Sequence, residues 1–150
     1  MKIQIEIQNR PEPVWKDKIP EWEKLSETSY AFCEAIHQWE YLKERPRPDV
    51  IFLAIPKGCN LADFEFVADD AKNAHKFIFT FPNMNASIIM QMLGFSGRVL
   101  CFSNGEKTAE FAINECKEME KAEKTAWLFT SPAELDDGKR VVLFSSYPAS

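Results

Sequence analysis

The run "DVIFLAI", Asp49 to Ile55, carries no polar side chain after its opening aspartate. A strand with one solvated face alternates apolar and polar residues, whereas an unbroken apolar run must be covered on both faces. In a chain of 150 residues that means helices above and below a sheet. The surrounding segments supply that pattern. "MKIQIEIQ" alternates Ile3, Ile5 and Ile7 with polar residues, a half-buried strand. "NRPEPVWKDKIP" is a proline-rich connection, and Pro20 opens a long predicted helix, "PEWEKLSETSYAFCEAIHQWEYLKER". Trp22, Leu25, Phe32, Ile36 and Trp39 recur in it at helical spacing. "RPRP" at 45–48 stops it, because a proline disfavours helix in the residue before it and lacks an amide.

Beyond Ile55, Gly58 predicts a turn, and Asn60 with Asp63 caps a helix to about Asn73. "KFIFTF" reads as a strand, and "MNASIIMQML" as a short apolar helix closed by Gly94. "RVLCFS" reads as another buried strand, followed by a helix from Asn104 to about Lys121. "TAWLFTS" and "RVVLFSSY" are the last two strands, joined by a loop with a turn at Asp137-Gly138. This alternation predicts one α/β domain over residues 1–150, with a mostly parallel sheet and a terminal antiparallel hairpin.

Net charge −5 and pI near 5.1 argue against nucleic acid or an anionic membrane as partner, since both select a basic face. No apolar run reaches the roughly 20 residues of a membrane helix, and no targeting segment is recognisable. A cytoplasmic protein without membrane insertion is expected. The four cysteines, Cys33, Cys59, Cys101 and Cys116, have no CxxC spacing and no nearby histidine, so no metal site or disulfide is expected. With five glycines, no Walker loop and no G-x-G-x-x-G after a strand, no cofactor is expected either.

The stretch "RVLCFSNGEKTAEF", Arg98 to Phe111, has the strand–corner–helix form that carries a nucleophile in many enzymes. "CFSNG" misses the G-x-S-x-G elbow by its first glycine, where Cys101 stands, and both histidines, His37 and His75, precede Ser103. A serine hydrolase does not fit. Ser103 and Glu106 instead match an S-x-x-E capping box, and Glu106 already places negative charge where an anion would bind.

The segment Phe79 to Pro132 nevertheless resembles the N-terminal half of the β-ketoacyl synthases, of the thiolase fold. An apolar helix with Asn83, Asn85, Ala86 and Ser87 precedes a G-F-x-G step at Gly94, Phe95 and Gly97. A strand then leads to the corner, and a helix with Ala109 and Ala112 follows. Trp15 and "IPEW" resemble the opening of ketosynthase-like N-terminal domains of pigment and polyene pathways, and "DVIFLAIPKG" sits at their next core strand. The resemblance implies a thiolase-like half-fold, a mixed, mostly parallel five-stranded sheet covered by helices.

The departures from the family bear on chemistry. The acyl-accepting cysteine of the family would fall near Asn104, whose amide cannot form a thioester. Cys101 comes about three residues too early, inside the strand. The family's two histidines, or histidine and asparagine, come from a second half of the fold that these residues do not include. Arg98 replaces a usual proline, and Ser131 and Pro132 replace usual glycines. The corner Ser103, Asn104, Gly105 is thus a degenerate nucleophile site with no catalytic residue. The resemblance implies a non-catalytic, scaffold or chain-length-factor-like protein of a fatty-acid, polyketide or aryl-polyene-type pathway. It would form a homodimer, or a heterodimer with a ketosynthase, and would have an acyl carrier protein as a further partner. Asn83, Asn85, Asn104 and Glu106 are the candidate ligand or interface residues. A second reading is a small-ligand-binding α/β domain with Lys57, Gly58, Asn83 and Asn104 at the carboxyl ends of the strands. A third makes Cys59 or Cys101 a thiol nucleophile.

Overall fold

The computed structural model describes residues 1–7, 10–55, 82–103, 105–131 and 139–149. The predicted helix at 60–73, the strand "KFIFTF" and the turn at Asp137-Gly138 lie outside them. Among the described residues five strands form one sheet: β1 (Lys2–Glu6), β2 (Val50–Ala54), β3 (Arg98–Phe102), β4 (Ala126–Thr130) and β5 (Lys139–Tyr147). Their order is β1-β5-β4-β2-β3. The β4-β2-β3 part is parallel, while β5 runs antiparallel to both β4 and β1. Among the described residues, three α-helices accompany the sheet: α1 (Glu27–Gln38), α2 (Pro82–Leu93) and α3 (Thr108–Lys121).

The unbroken apolar character of β2 has the expected cause. Ile51 and Leu53 point into a core shared with α1 and α2, while Val50, Phe52 and Ala54 face α3 on the other side. β4 divides in the same way, with Trp127 and Phe129 toward α1 and α2 and Ala126 and Leu128 toward α3. β1 has only one apolar face: Ile3 and Ile5 join the α1 side, and Lys2, Gln4 and Glu6 alternate with them. The larger core is aromatic. Phe144 of β5 lies 5.5 Å from the Trp127 ring, 5.1 Å from Phe129 and 6.1 Å from Trp39.

α1 is shorter than its apolar spacing predicts. It begins at Glu27, because the Ser26 hydroxyl accepts the Ser29 amide and caps it. Trp22–Lys24 and Glu40–Lys43 on either side form 3₁₀ turns. The turns of a 3₁₀ segment also place residues three apart on one side, so Trp22, Leu25 and Trp39 keep their facing without belonging to the helix. The proline-rich connection before it is a strap fastened to α1. Trp15 Nε1 donates to Glu34 Oε2 at 2.7 Å, its ring lies 5.4 Å from Tyr30, and Tyr30 donates to the Pro11 carbonyl at 3.1 Å.

α1 also holds the one fully buried arginine among the described residues. Arg140 donates to Thr28 Oγ1 at 2.6 Å and pairs with Glu27 Oε2 at 3.3 Å, tying the first turn of α1 to β5. α2 ends at Gly94, which adopts φ +61°, the left-handed conformation that a helix exit favours in glycine. A side chain at Gly97 would collide with the Phe95 ring, so the G-F-x-G step is a close backbone approach leading into β3.

Candidate functional site

The parallel strands end level with one another. Ala54 of β2 is in register with Phe102 of β3 on one side and Thr130 of β4 on the other. The ladder continues one step beyond, with the Ile55 amide donating to the Phe102 carbonyl and the Ser131 amide to the Ala54 carbonyl. The corner after β3 therefore opens at the carboxyl end of the parallel sheet, where α/β folds form crevices. Ser103, Glu106 and Lys107 are exposed there.

The helix after the corner starts later than Asn104. A 3₁₀ turn spans Gly105–Lys107, and α3 begins at Thr108 with Lys107 at its N-cap and no side-chain capping bond. Ser103 therefore precedes a 3₁₀ turn that contains Glu106, and the side-chain cap expected from this pair is not the one at which α3 starts. Thr108, Ala112 and Cys116 form the buried stripe of α3, small enough for the helix to sit close on Phe52 and Leu128. Asn104, Lys57, Gly58, Cys59 and His75 lie outside the described residues, as does the side chain of Asn83.

Asn85 is buried between the two helices on the other face, and its Oδ1 accepts the Ser29 hydroxyl at 2.6 Å. That position makes it a link between α1 and α2, away from any exposed surface. His37 lies half-buried in the last turn of α1, where a basic side chain suits the helix end.

No described cysteine sits at the corner. Cys101 is half-buried in β3 and packs toward the α2 side of the sheet. Cys33 is fully buried in α1, and burial pushes its thiol well above the ordinary value. Burial, aided by the Glu115 carboxylate, pushes Cys116 up to about 12. Both stay as protonated thiols, which are inert as nucleophiles. Among the described residues, no group of acidic, histidine or cysteine side chains could hold a metal ion, and no helix is long and apolar enough to cross a membrane.

β3 reads in the sequence as a buried strand, but in the sheet of described residues it is an edge. Its two faces differ. Val99 and Cys101 pack against the α2 side and Phe102 against the α3 side, and strand alternation puts Leu100 on the same face as Phe102. Phe102 stacks on Phe52 at 5.5 Å and meets the edge of the Phe111 ring at 5.2 Å. Leu100 remains 36% exposed and Phe111 43% exposed. The corner strand and the first turn of its helix thus present an apolar patch beside the edge strand of the described sheet. Phe111 is the residue the sequence pattern missed: it flanks the buried stripe, in a helix whose exposed residues are otherwise polar or charged.

No family model and no curated protein matches the sequence. Among solved structures, a chain from the complex of a ketosynthase (ApeO) with its chain length factor (ApeC) from Xenorhabdus doucetiae is similar, with a TM-score of 0.62 and 13% identity. The match covers 92% of this chain and 61% of that one, so the present sequence spans about three-fifths of its neighbour's length. The similarity is one of fold: this chain has a ketosynthase-like α/β fold.

Proposed function

We propose that residues 1–150 form a single ketosynthase-like N-terminal domain that does no chemistry itself. It acts as a chain-length-factor-like or scaffold subunit of a fatty-acid, polyketide or aryl-polyene-type pathway. The observation that carries this reading is the edge of β3, with Leu100 and Phe111 exposed beside it. An edge strand with an exposed apolar flank is a surface that another chain can complete. The similar solved protein is a ketosynthase in complex with its chain length factor, which makes a ketosynthase-like subunit the favoured partner. A second copy of this chain is the other occupant of the same edge, and an acyl carrier protein is a further partner of the assembly.

The loss of catalysis is supported by the residue types at the corner. Ser103, Asn104, Gly105, Glu106 and Lys107 include no thiol, and a ketosynthase needs one there to carry its acyl chain. Cys101 is held within the strand, facing the helix layer. The test is co-expression with a full-length ketosynthase, followed by size-exclusion chromatography with light scattering and incubation with an acyl thioester. A stoichiometric complex, or a homodimer, with no acyl adduct on this chain is the expected result. A monomer that pairs with neither overturns the pairing, and a mass shift from a bound acyl group overturns the non-catalytic reading.

A further inference from the structure

At the opposite end of the sheet from the corner, three segments distant in sequence bring cations to one cleft. Lys18 comes from the strap, Lys43 closes the 3₁₀ turn after α1, and Arg47 belongs to the "RPRP" link into β2. The cleft is about 510 Å³, and its floor is the end of α2 at Gln91, Met92 and Leu93. The whole chain carries 18 lysines and arginines against 23 acidic residues, yet among the described residues every charged side chain lining this cleft is cationic. Among the described residues, neither Lys18 nor Lys43 takes part in an ion pair.

The end of a helix is an unpromising place for an anion, because its last carbonyls carry partial negative charge. Here that charge is already met. Arg47 Nη2 donates to the Leu93 carbonyl at 2.7 Å, which also fixes the guanidinium at the cleft wall. The two ammonium groups then add a positive field that no carboxylate among the described lining residues cancels. Like charges lining one cleft repel one another, and a multivalent anion relieves that repulsion.

We propose that this cleft binds a phosphate-bearing small molecule. A phosphate group carries close to two negative charges and several acceptor oxygens, which matches two ammonium groups and a guanidinium better than a single carboxylate does. The volume falls within the ordinary range for small-ligand sites of about 300–1,000 Å³. Met92 and Leu93, 3% and 5% exposed, form an apolar floor against which the organic part of such a molecule packs. Its lining belongs to the strap, the 3₁₀ turn after α1, the link before β2 and the end of α2, none of it in β3, so it is tested independently of pairing at β3.

The test is calorimetric titration of the full chain with pyrophosphate at low ionic strength, beside the Lys18→Ala/Lys43→Ala and Lys18→Arg/Lys43→Arg variants. One-site binding to the wild-type chain is expected. The alanine pair weakens it by about tenfold or more, and the arginine pair retains it. Thermal melting without ligand checks that the exposed substitutions leave the fold intact. No binding to the wild-type chain, or equal binding to the alanine variant, overturns the proposal. Tighter binding of poly-glutamate than of pyrophosphate at the same lysines overturns it in favour of an acidic polypeptide.

Discussion

The Ser29 hydroxyl donates to Asn85 Oδ1 at 2.6 Å across the interface of α1 and α2, with both residues buried. Neither partner has water to fall back on, so the bond is worth more intact than its net contribution suggests. Replacing Asn85 by leucine takes this acceptor away from Ser29. The expected loss is about 1–3 kcal/mol, read as a lower urea midpoint. The Ser29→Ala/Asn85→Leu double variant should lose less than the sum of the two single changes, because neither then strands the other. A single variant with the wild-type midpoint would show that the link carries no stability.

Asp49 and Thr125 clasp the starts of β2 and β4. The Thr125 amide donates to Asp49 Oδ2 at 2.8 Å, and the Asp49 amide donates to Thr125 Oγ1 at 3.0 Å. The backbone bond from Thr125, and then its hydroxyl, hold the Asp49 carboxyl below its ordinary value of 3.8. A depressed carboxyl favours the folded state fully above its unfolded value and loses that contribution as pH falls through the folded one. Asp49→Ala should therefore melt at a lower temperature than wild type at neutral pH. The gap should narrow steadily once the pH drops below about 4. A gap that stays constant into strong acid would rule out the carboxylate as its source.

These pairs also explain how far the sequence could be read. The three layers were legible because Val50 to Ile55 admits no solvated face, a constraint local to one strand. Which strand lies at an edge is decided by the order β1-β5-β4-β2-β3, and "RVLCF" has a composition that fits either place. The periodicity of Trp22, Leu25 and Trp39 was real, but 3₁₀ turns share enough of it to hide the cap at Ser26. The same substitution of a 3₁₀ turn for helix moved the start of α3 from Asn104 to Thr108. Asn85 stood out by its residue type, while its partner Ser29 is 56 residues away. Arg140 meets Thr28 across 112 residues, a pairing that no local pattern records.

The cysteines provide a chemical check on the packing. Cys33 lies wholly within the α1 side of the core, and Cys116 faces Val50, Phe52 and Leu128 from α3. With both thiols displaced upward by burial, neither supplies thiolate at neutral pH. Iodoacetamide applied to the folded chain should leave Cys33 and Cys116 unmodified, while labelling in urea should reach all four cysteines. Peptide mass mapping separates the sites. Fast modification of either residue in the folded protein would contradict the packing of α1 or α3.

The apolar patch at β3 separates stability from association. Leu100 lies on the edge strand of the described sheet and is already 36% exposed, so Leu100→Lys should change the monomer's stability by no more than about 0.5 kcal/mol. A charge beside an edge strand opposes pairing with another chain, the device by which natural sheets protect their edges. Phe111→Asp acts on the same patch from α3, and also removes the edge-on contact with Phe102 at 5.2 Å, which is worth about 0.5–1.5 kcal/mol. Both variants should weaken association with a ketosynthase-like partner, or with a second copy, by about tenfold or more in sedimentation velocity. Urea melts of the Leu100 variant should overlay the wild type, so that lost association cannot be laid to unfolding. If both variants assemble with wild-type affinity, the partner binds elsewhere and the exposed edge of β3 is not its seat.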